Sequence, residues 1–434
     1  MKRQFIQFVL ILLSKLILGR YQPLVIAVVG SNGKTSAKEA MAAVLKSHYR
    51  VRQNSENQNI PIGVCLTIIG GQAANRNVWL WLKNFWQGFW LIIWKHKNYP
   101  EVLVLEMSED RPGSLKYLIN LCQPQIGVIT WIGKWPVHLC NFKNKNELLD
   151  EFYYLAKSLP PEGALILNSD NKEVLEAKNS TQAQVVTFGF KEGDIKIDDY
   201  KLYGIRDENR IRVGSYFRLF YSGSYVPVKI IDIFGKPQIY ALAAASCVGL
   251  KLKMNLVEIV AGFNNHHVPA GRTTILAGCN NVWLLDDSYN SNPDAVFAAL
   301  ELLDDLANIV LPANEALIFQ RKIAVLGDML ELGEMTEVAH KTVGKWVAES
   351  VDIFVAVGQE MKKAAEVAQT ILGENKVFIF NNSQEAAGKI KEIVKAGDLV
   401  LVKGSRGMHL EEVSKALMLE PEKAKDYLIF ADPV

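Results

Sequence analysis

Seven consecutive residues constrain this chain more than any others: GSNGKTS, from Gly30 to Ser36. They follow the apolar run LVIAVV (Leu24–Val29) and precede a stretch that places Ala40, Met41, Val44 and Leu45 on one helical face. A buried strand, a glycine turn and a helix in that order belong to a parallel α/β sheet, with the turn at the carboxyl edge of the strand. The residue types suit a polyphosphate. Gly30 and Gly33 permit a tight turn that aims backbone N–H groups at phosphate oxygens, and the helix N-terminus adds partial positive charge. Lys34 can reach the terminal phosphates, and the Thr35 hydroxyl can hold Mg²⁺. Ser31, Asn32 and Ser36 complete the set of candidate ATP contacts. Only Ser31 and Asn32 separate the two glycines, fewer than in the usual Walker G-x-x-x-x-G-K form.

The rest of the chain continues the strand–helix alternation. EVLVLE (Glu101–Glu106), IGVIT (Ile126–Thr130), ALILN (Ala164–Asn168) and QVVTF (Gln184–Phe188) read as strands. The first two are separated by a helix starting near Gly113. Residues 191–231 change texture to short alternating strands with Gly, Asp and Asn turns, and a small-residue helix, IYALAAASCVGL, follows. Beyond VPAGR (Val268–Arg272), the runs VWLLDD, KIAVLG, DIFVAV, KVFIF and DLVLV predict a second doubly wound unit. The expected organisation is an apolar N-terminal helix over 1–23, a central ATP-binding domain over 24–268 with a parallel sheet, and a Rossmann-like domain over 269–434.

Composition narrows the class. The 48 basic and 46 acidic residues nearly cancel, which gives no footprint for nucleic acid. Five scattered cysteines without a CxxC pair suggest neither a disulfide framework nor a zinc site, and fit a reducing cytoplasm. Two segments stand apart. Residues 5–18 are apolar but short for a bilayer span and lack a small-residue cleavage site. Residues 78–97 (VWLWLKNFWQGFWLIIWKHK) hold five of the nine tryptophans and end in a basic cluster. On a helix, Trp79, Leu82, Trp86, Trp90 and Ile93 share one face while Asn84 and Gln87 point away. Tryptophan with lysine suits a membrane interface on the cytoplasmic side; the plainer reading makes both segments core or inter-domain helices.

Glu106 ends a buried strand, where a carboxylate can hold Mg²⁺ against nucleotide phosphates. With it the chain resembles a known family. The shortened G-[ST]-N-G-K-T-[ST] loop is similar to that of Mur ligases and the related folylpolyglutamate synthetases. VLVLEMSEDRPGSL resembles the VLEMG-x-x-x-PG segment of the MurF type, with Ser108 where glycine is usual. The resemblance implies that His138, in ITWIGKWPVHLCNF, helps bind a second Mg²⁺. A departure accompanies it. The lysine that such ligases carbamylate as a metal ligand falls, counting back from LPPEGALILN, on Phe152, which cannot carry a carbamate; Glu151 and Lys157 are close but out of register.

PAGR (Pro269–Arg272) and LLDDSYNSNPDAVFAAL (Leu284–Leu300) also resemble the MurF type, and imply nucleotide contacts at Arg272, Asp287 and Asn290. The turn DDSYNSNP also reads as a helix cap. AVLGDMLELGE, His340 and VLVKGSRG resemble segments that hold the incoming amino acid or dipeptide, which implies substrate roles for Asp328, Lys403, Ser405 and Arg406. FGKPQIYALAAA carries Pro237 and Gln238 where the family has a His-Asn pair. The expected activity is ATP- and Mg²⁺-dependent amide ligation by a monomer, with an acyl phosphate attacked by an amine such as D-alanyl-D-alanine on a muramoyl peptide. Lys34, Glu106 and His138 would carry the catalysis. A folylpolyglutamate- or cyanophycin-type ligase, or an ATP-binding scaffold without turnover, are the alternatives. The domain of about a hundred residues that grips the UDP-sugar in MurF-type ligases is expected to be missing ahead of Gly30, so a lipid-linked or membrane-proximal precursor is a further expectation.

Overall fold

The computed structural model describes residues 2–55, 58–74, 77–136, 138–207, 210–309 and 319–430. The strand runs expected from Leu24 to Ile231 assemble into one sheet. Its members are β1 (Leu24–Val29), β2 (Val51–Gln53), β3 (Val102–Glu106), β4 (Ile126–Ile129), β5 (Ala164–Asn168), β6 (Gln184–Gly189), β7 (Ile195–Asp207), β8 (Arg210–Tyr221) and β9 (Ser224–Ile231). They lie in the order β2-β3-β1-β4-β5-β6-β7-β8-β9. Pairing is parallel from β2 across to β7 and antiparallel in the β7-β8-β9 meander. The residues of β3, β4 and β5 are buried throughout, as a sheet covered on both faces requires. The small strand β2 was not foreseen, since three residues carry no readable period. The meander strands run longer than the short strands expected, and a register shift between Asp198 and Lys201 explains the broken alternation there.

One face of this sheet carries the helices Lys34–Leu45 and Lys236–Lys251. The alanines of the second, Ala241 and Ala243 to Ala245, are buried and let the two helices pack closely. The other face carries Lys2–Tyr21, Pro61–Ile69, Ser114–Cys122 and Lys145–Ser158. The second sheet contains β10 (Thr274–Ala277), β11 (Trp283–Asp287), β12 (Lys322–Gly327), β13 (Ile353–Val357), β14 (Val377–Phe380) and β15 (Leu399–Lys403). Its order is β10-β11-β15-β12-β13-β14, parallel except for β10. The boundary expected at 268/269 falls in the connection between helix Leu256–Phe263 and β10.

The strand order positions the site. From β1 the chain reaches β3 on one side and β4 on the other, so a crevice opens above the carboxyl end of β1. Register then decides what stands at its rim. Val28 pairs with Glu106 and Val29 with Ile129, which puts Glu106 and Thr130 beside the turn that follows β1.

Candidate active site

The turn between β1 and helix Lys34–Leu45 is built by its glycines. Gly30 has φ 136°, and a Cβ there would lie 2.4 Å from Thr130 Oγ1, so strand and loop approach only without a side chain. Gly33 has φ 81° and occupies the N-cap of the helix, where no side chain accepts from the first amides. The N–H groups of Gly33, Lys34, Thr35 and Ser36 therefore face the crevice with no intrahelical acceptor, the arrangement that attracts an anion. One part of the expected cradle differs: the amides of Ser31 and Asn32 donate to Trp131 O at 2.7 and 3.4 Å. The carbonyl after β4 takes up the front of the loop, and the back is left for phosphate.

Around this turn the side chains form a connected polar array. The Thr35 hydroxyl donates to Glu106 Oε1 at 3.2 Å and accepts from Arg272 Nη2 at 3.2 Å. Lys34 Nζ donates to Gly30 O at 2.5 Å and pairs with Glu109 at 3.2 Å. Glu106 is further held by Lys38 Nζ at 3.7 Å and, through its backbone, by the Asn54 side chain at 2.8 and 3.0 Å. Sequence reasoning missed Glu109, Lys38 and Asn54. Lys38 had a usable signal, because it sits one helical turn past Lys34 and shares its face. Glu109 follows Glu106 by three residues in the same motif, an acid in otherwise buried surroundings. Asn54 lies in a polar loop whose sequence carries no cue.

The second sheet closes the crevice. Arg272 stacks over the Tyr289 ring at 4.3 Å, and its Nε has no protein partner. Asn292 caps helix Pro293–Ala307 by accepting from Ala295 N, and its amide donates to Asn32 Oδ1 at 2.6 Å. The DDSYNSNP turn is thus a helix cap and a contact to the phosphate loop at once. Asp287 receives Lys403 Nζ at 2.6 Å and the amide of Thr273 at 3.1 Å. Asn290 lends its carbonyl to the same lysine at 2.8 Å. Between the sheets lies a cavity of about 580 Å³, lined by Ser31 to Ala37, Glu106, His138, Arg272, Asp287, Asn290 and Lys403 among others. Its far end is aromatic: Tyr240 stands between Phe190 and Trp131, at ring distances of 5.0 and 6.0 Å, and donates its hydroxyl to Asp170. Burial and Asp170 together push the Tyr240 pKa well up. Gln238 reaches this cavity with an unpartnered Oε1, as do Ser31 and Ser291 with unpartnered hydroxyls. A cavity with a cationic end, orphaned polar atoms and an aromatic end fits a nucleotide in size and chemistry.

Other expected residues stand elsewhere. Phe152 is fully buried and packs in the apolar core with Leu148 and Leu155. Glu151 beside it accepts from the amides of Gly113, Leu115 and Lys116, so it caps helix Ser114–Cys122. Lys157, the other residue near the expected register, also lies outside the cavity lining. His138 lines the cavity with φ 67°, its Nδ1 3.0 Å from Glu331 and its Nε2 3.6 Å from Asp110. Both ring nitrogens therefore face carboxylates, one of them from the second sheet's side of the crevice. No cluster of three or more His, Cys, Asp or Glu side chains suited to a metal exists among the described residues. One cation between Thr35 and Glu106 fits; the ligand set for a second does not assemble.

Asp328, expected to contact substrate, is engaged within the second domain. Its carboxylate accepts from the amides of Gln359 and Met361 at 3.0 and 2.7 Å, and it is not in the cavity lining. Ser405 accepts from Leu330 N, and Arg406 pairs with Glu411, both outside that lining. Buried His340 bridges Thr336 O and Met329 N, and desolvation lowers its pKa. These four hold the loops at the carboxyl end of β12 and β15. Lys403 alone among the substrate candidates lines the cavity.

Comparison with known proteins agrees with this architecture. Residues 28–249 match the Mur ligase middle domain, and residues 271–406 match the Mur ligase glutamate ligase domain. The UDP-N-acetylmuramoyl-tripeptide–D-alanyl-D-alanine ligase of Bacillus subtilis is 27% identical over 398 residues, covering 92% of this chain and 76% of that enzyme. The MurF ligase of Thermotoga maritima in complex with ADP superposes with a TM-score of 0.74 at 23% identity, covering 96% of this chain and 84% of that one. MurF from Acinetobacter baumannii gives the same TM-score at 22% identity, with 94% and 79% covered. Since the middle-domain match alone takes in just over half of its residues, the chain belongs to the Mur ligase family.

Proposed function

We propose that this protein is an ATP-dependent amide ligase that adds D-alanyl-D-alanine to a muramoyl tripeptide in peptidoglycan synthesis. The observation that carries the reading is the meeting of Lys34, Thr35, Glu106 and Arg272 at the carboxyl end of β1, with Thr35 Oγ1 3.2 Å from both Glu106 and Arg272. The names of its relatives supply the substrate pair.

The nucleotide lies with its base at the aromatic end beside Tyr240, where Gln238 Oε1 can accept from an exocyclic amine. Its phosphates lie over the amides of Gly33 to Ser36. Thr35 and Glu106 would hold a magnesium ion, which would supply neutralisation of phosphate charge. Lys34 and Arg272 stabilise the phosphoryl group as an oxygen of the substrate carboxylate attacks phosphorus and the bond to ADP breaks. The dipeptide amine then attacks the acyl carbon, a C–N bond forms and inorganic phosphate leaves with the activated oxygen. Lys403, buried and anchored by Asp287, presents the remaining cation on the second sheet's side, where it suits the dipeptide carboxylate or the acyl phosphate. Every expected covalent change takes place between substrates; the side chains bind, orient and neutralise. The enzyme acts in the cytoplasm, where ATP is made, and as a monomer.

Incubation with Mg-ATP and each substrate separately and together tests the reading. ADP, phosphate and the pentapeptide product should appear in equal amounts only when both substrates are present. Turnover with a glutamate or cyanophycin-like acceptor pair instead would replace it, and ATP binding without turnover would favour a scaffold.

A further inference from the structure

The tryptophan-rich helix Val78–Ile93 is turned inside out relative to a helix of a soluble domain. Its amide side chains face the protein. Buried Asn84 exchanges hydrogen bonds with the backbone of Gln72 at 2.8 and 3.1 Å, and Gln87 donates to the carbonyls of Ile69 and Gly70 at 3.1 and 3.0 Å. Gln87 thereby helps terminate helix Pro61–Ile69, satisfying the carbonyls of its last residue and its C-cap. The apolar face points outward instead: Trp79 (82% exposed), Leu82, Trp86, Phe89 and Ile93 are all exposed. Trp86, Trp90 and Trp94 follow one another along it, the first pair edge to face at 5.4 Å and the second tilted at 4.6 Å.

The N-terminal helix Lys2–Tyr21 lies against this one and extends the same surface. Leu10, Ser14 and Ile17 form its buried stripe, while Phe5 (67% exposed), Phe8, Leu12 and Leu16 form an outward one. Its end is latched, with Tyr21 Oη donating to Leu91 O at 3.0 Å and accepting from His96 N at 2.8 Å. It is long and apolar enough to cross a bilayer. Spanning would strip its buried stripe from the domain and break that latch, whereas lying along a surface would keep both. With Trp94, the two helices hold more than half of the exposed large hydrophobic side chains among the described residues.

Charge indicates what covers this face. Residues 1–21 and 78–100 contain Lys2, Arg3, Lys15, Arg20, Lys83, Lys95 and Lys97 and no acidic residue, in a chain whose charges otherwise nearly cancel. A second copy docking face to face would oppose two basic surfaces. A soluble partner needs no tryptophan belt ringed by lysine, whereas an anionic bilayer matches both features.

We propose that the paired helices Lys2–Tyr21 and Val78–Ile93 form a monotopic docking surface for an anionic membrane, with the tryptophan ladder at headgroup depth. This proposal stands independently of the substrate assignment. The full chain should float with phosphatidylglycerol-containing vesicles and bind phosphatidylcholine vesicles about tenfold or more weakly, with the preference falling as salt rises. Tryptophan emission should shift to the blue and be quenched by lipids brominated near the headgroup. The triple variant Phe8→Glu, Trp79→Glu, Trp86→Glu should stay in solution while retaining ATP turnover without vesicles, which separates docking from folding. Lys95→Glu with Lys97→Glu should weaken anionic binding about tenfold. Equal binding to neutral vesicles, resistance to alkaline carbonate extraction (a spanning helix), or a vesicle-indifferent dimer broken by Trp86→Glu would each overturn it.

Discussion

The two flanks of the phosphate loop have been treated differently in this protein. On the β3 side, Thr35, Glu106, Lys38 and Asn54 interlock through short polar contacts, and each carboxylate oxygen faces a donor. On the side of helix Lys145–Ser158, the position expected to bear a metal-binding lysine is Phe152, sealed in the core, and the adjacent Glu151 is spent on capping a helix. The first flank is built for a cation and its phosphates. The second is occupied by packing at Phe152, with His138 between Asp110 and Glu331. On the proposed reading, phosphoryl transfer in this chain rests on the loop, Arg272 and one cation site.

The sharpest way to break this contrast is on the intact flank. Lys34→Ala and Glu106→Gln should each reduce kcat/KM for phosphate release by about 10³-fold, since each removes charge aimed at the transferring group. A loss below tenfold would move the chemistry elsewhere. On the packed flank, Phe152→Lys should not create a metal site. It should lower stability by about 3–5 kcal/mol in denaturant melts, because an ammonium would enter an apolar core and an aromatic would be lost. Recovery of full stability together with higher activity would show that the flank is still primed for a carbamate.

A similar contrast of matched and unmatched carboxylates occurs at the end of β11. Asp287 is paired with Lys403, but its neighbour Asp286 is fully buried with Oδ2 unpartnered, and desolvation raises its pKa to about 7. A raised carboxyl pKa stabilises the fold below the unfolded value, near 4, and that contribution is lost as pH rises towards 7. Asp286→Asn should therefore remove about 2–3 kcal/mol of stability change between pH 5 and 7, read as the difference between variant and parent melts. The comparison with the parent matters, because buried His266, whose pKa is lowered to about 4 by desolvation, acts with the opposite sign below pH 6.5. Parallel pH profiles for the two proteins would contradict the assignment to Asp286.

Smaller effects separate a metal ligand from a clasp. If His138 only joins Asp110 to Glu331, His138→Ala should cost less than about tenfold in kcat and leave the Mg²⁺ dependence unchanged. A shifted magnesium requirement would restore the second metal. Glu109→Gln should tighten ATP binding a few-fold (about 0.5–1 kcal/mol), because it releases Lys34 from a competing carboxylate. Weaker binding would make Glu109 part of the nucleotide site.

Much of this could be read from residues in order along the chain. The loop, its strand and helix, and Glu106 at the rim follow from local pattern, since a strand, a glycine turn and a carboxylate ending another buried strand obey the rules of parallel sheets. The five runs after Val268 proved to be strands for the same reason. What stayed hidden depends on contacts between distant segments. Glu109 and Lys34 are 75 residues apart, and Arg272 and Thr35 are 237 apart. Asp328 illustrates the reverse case. Its motif pointed to substrate, whereas its carboxylate is consumed by the amides that open helix Met361–Leu372. Local sequence shows that a carboxylate is present and not what it has already been given to bind.

The contrast between the flanks rests on direct phosphorylation of the substrate carboxylate, which isotope transfer measures without reference to rates. A muramoyl tripeptide with its reacting carboxylate labelled with ¹⁸O, incubated with Mg-ATP and D-alanyl-D-alanine, should yield inorganic phosphate carrying one ¹⁸O for each amide formed, and none with Lys34→Ala. Amide formation accompanied by unlabelled phosphate would contradict the account.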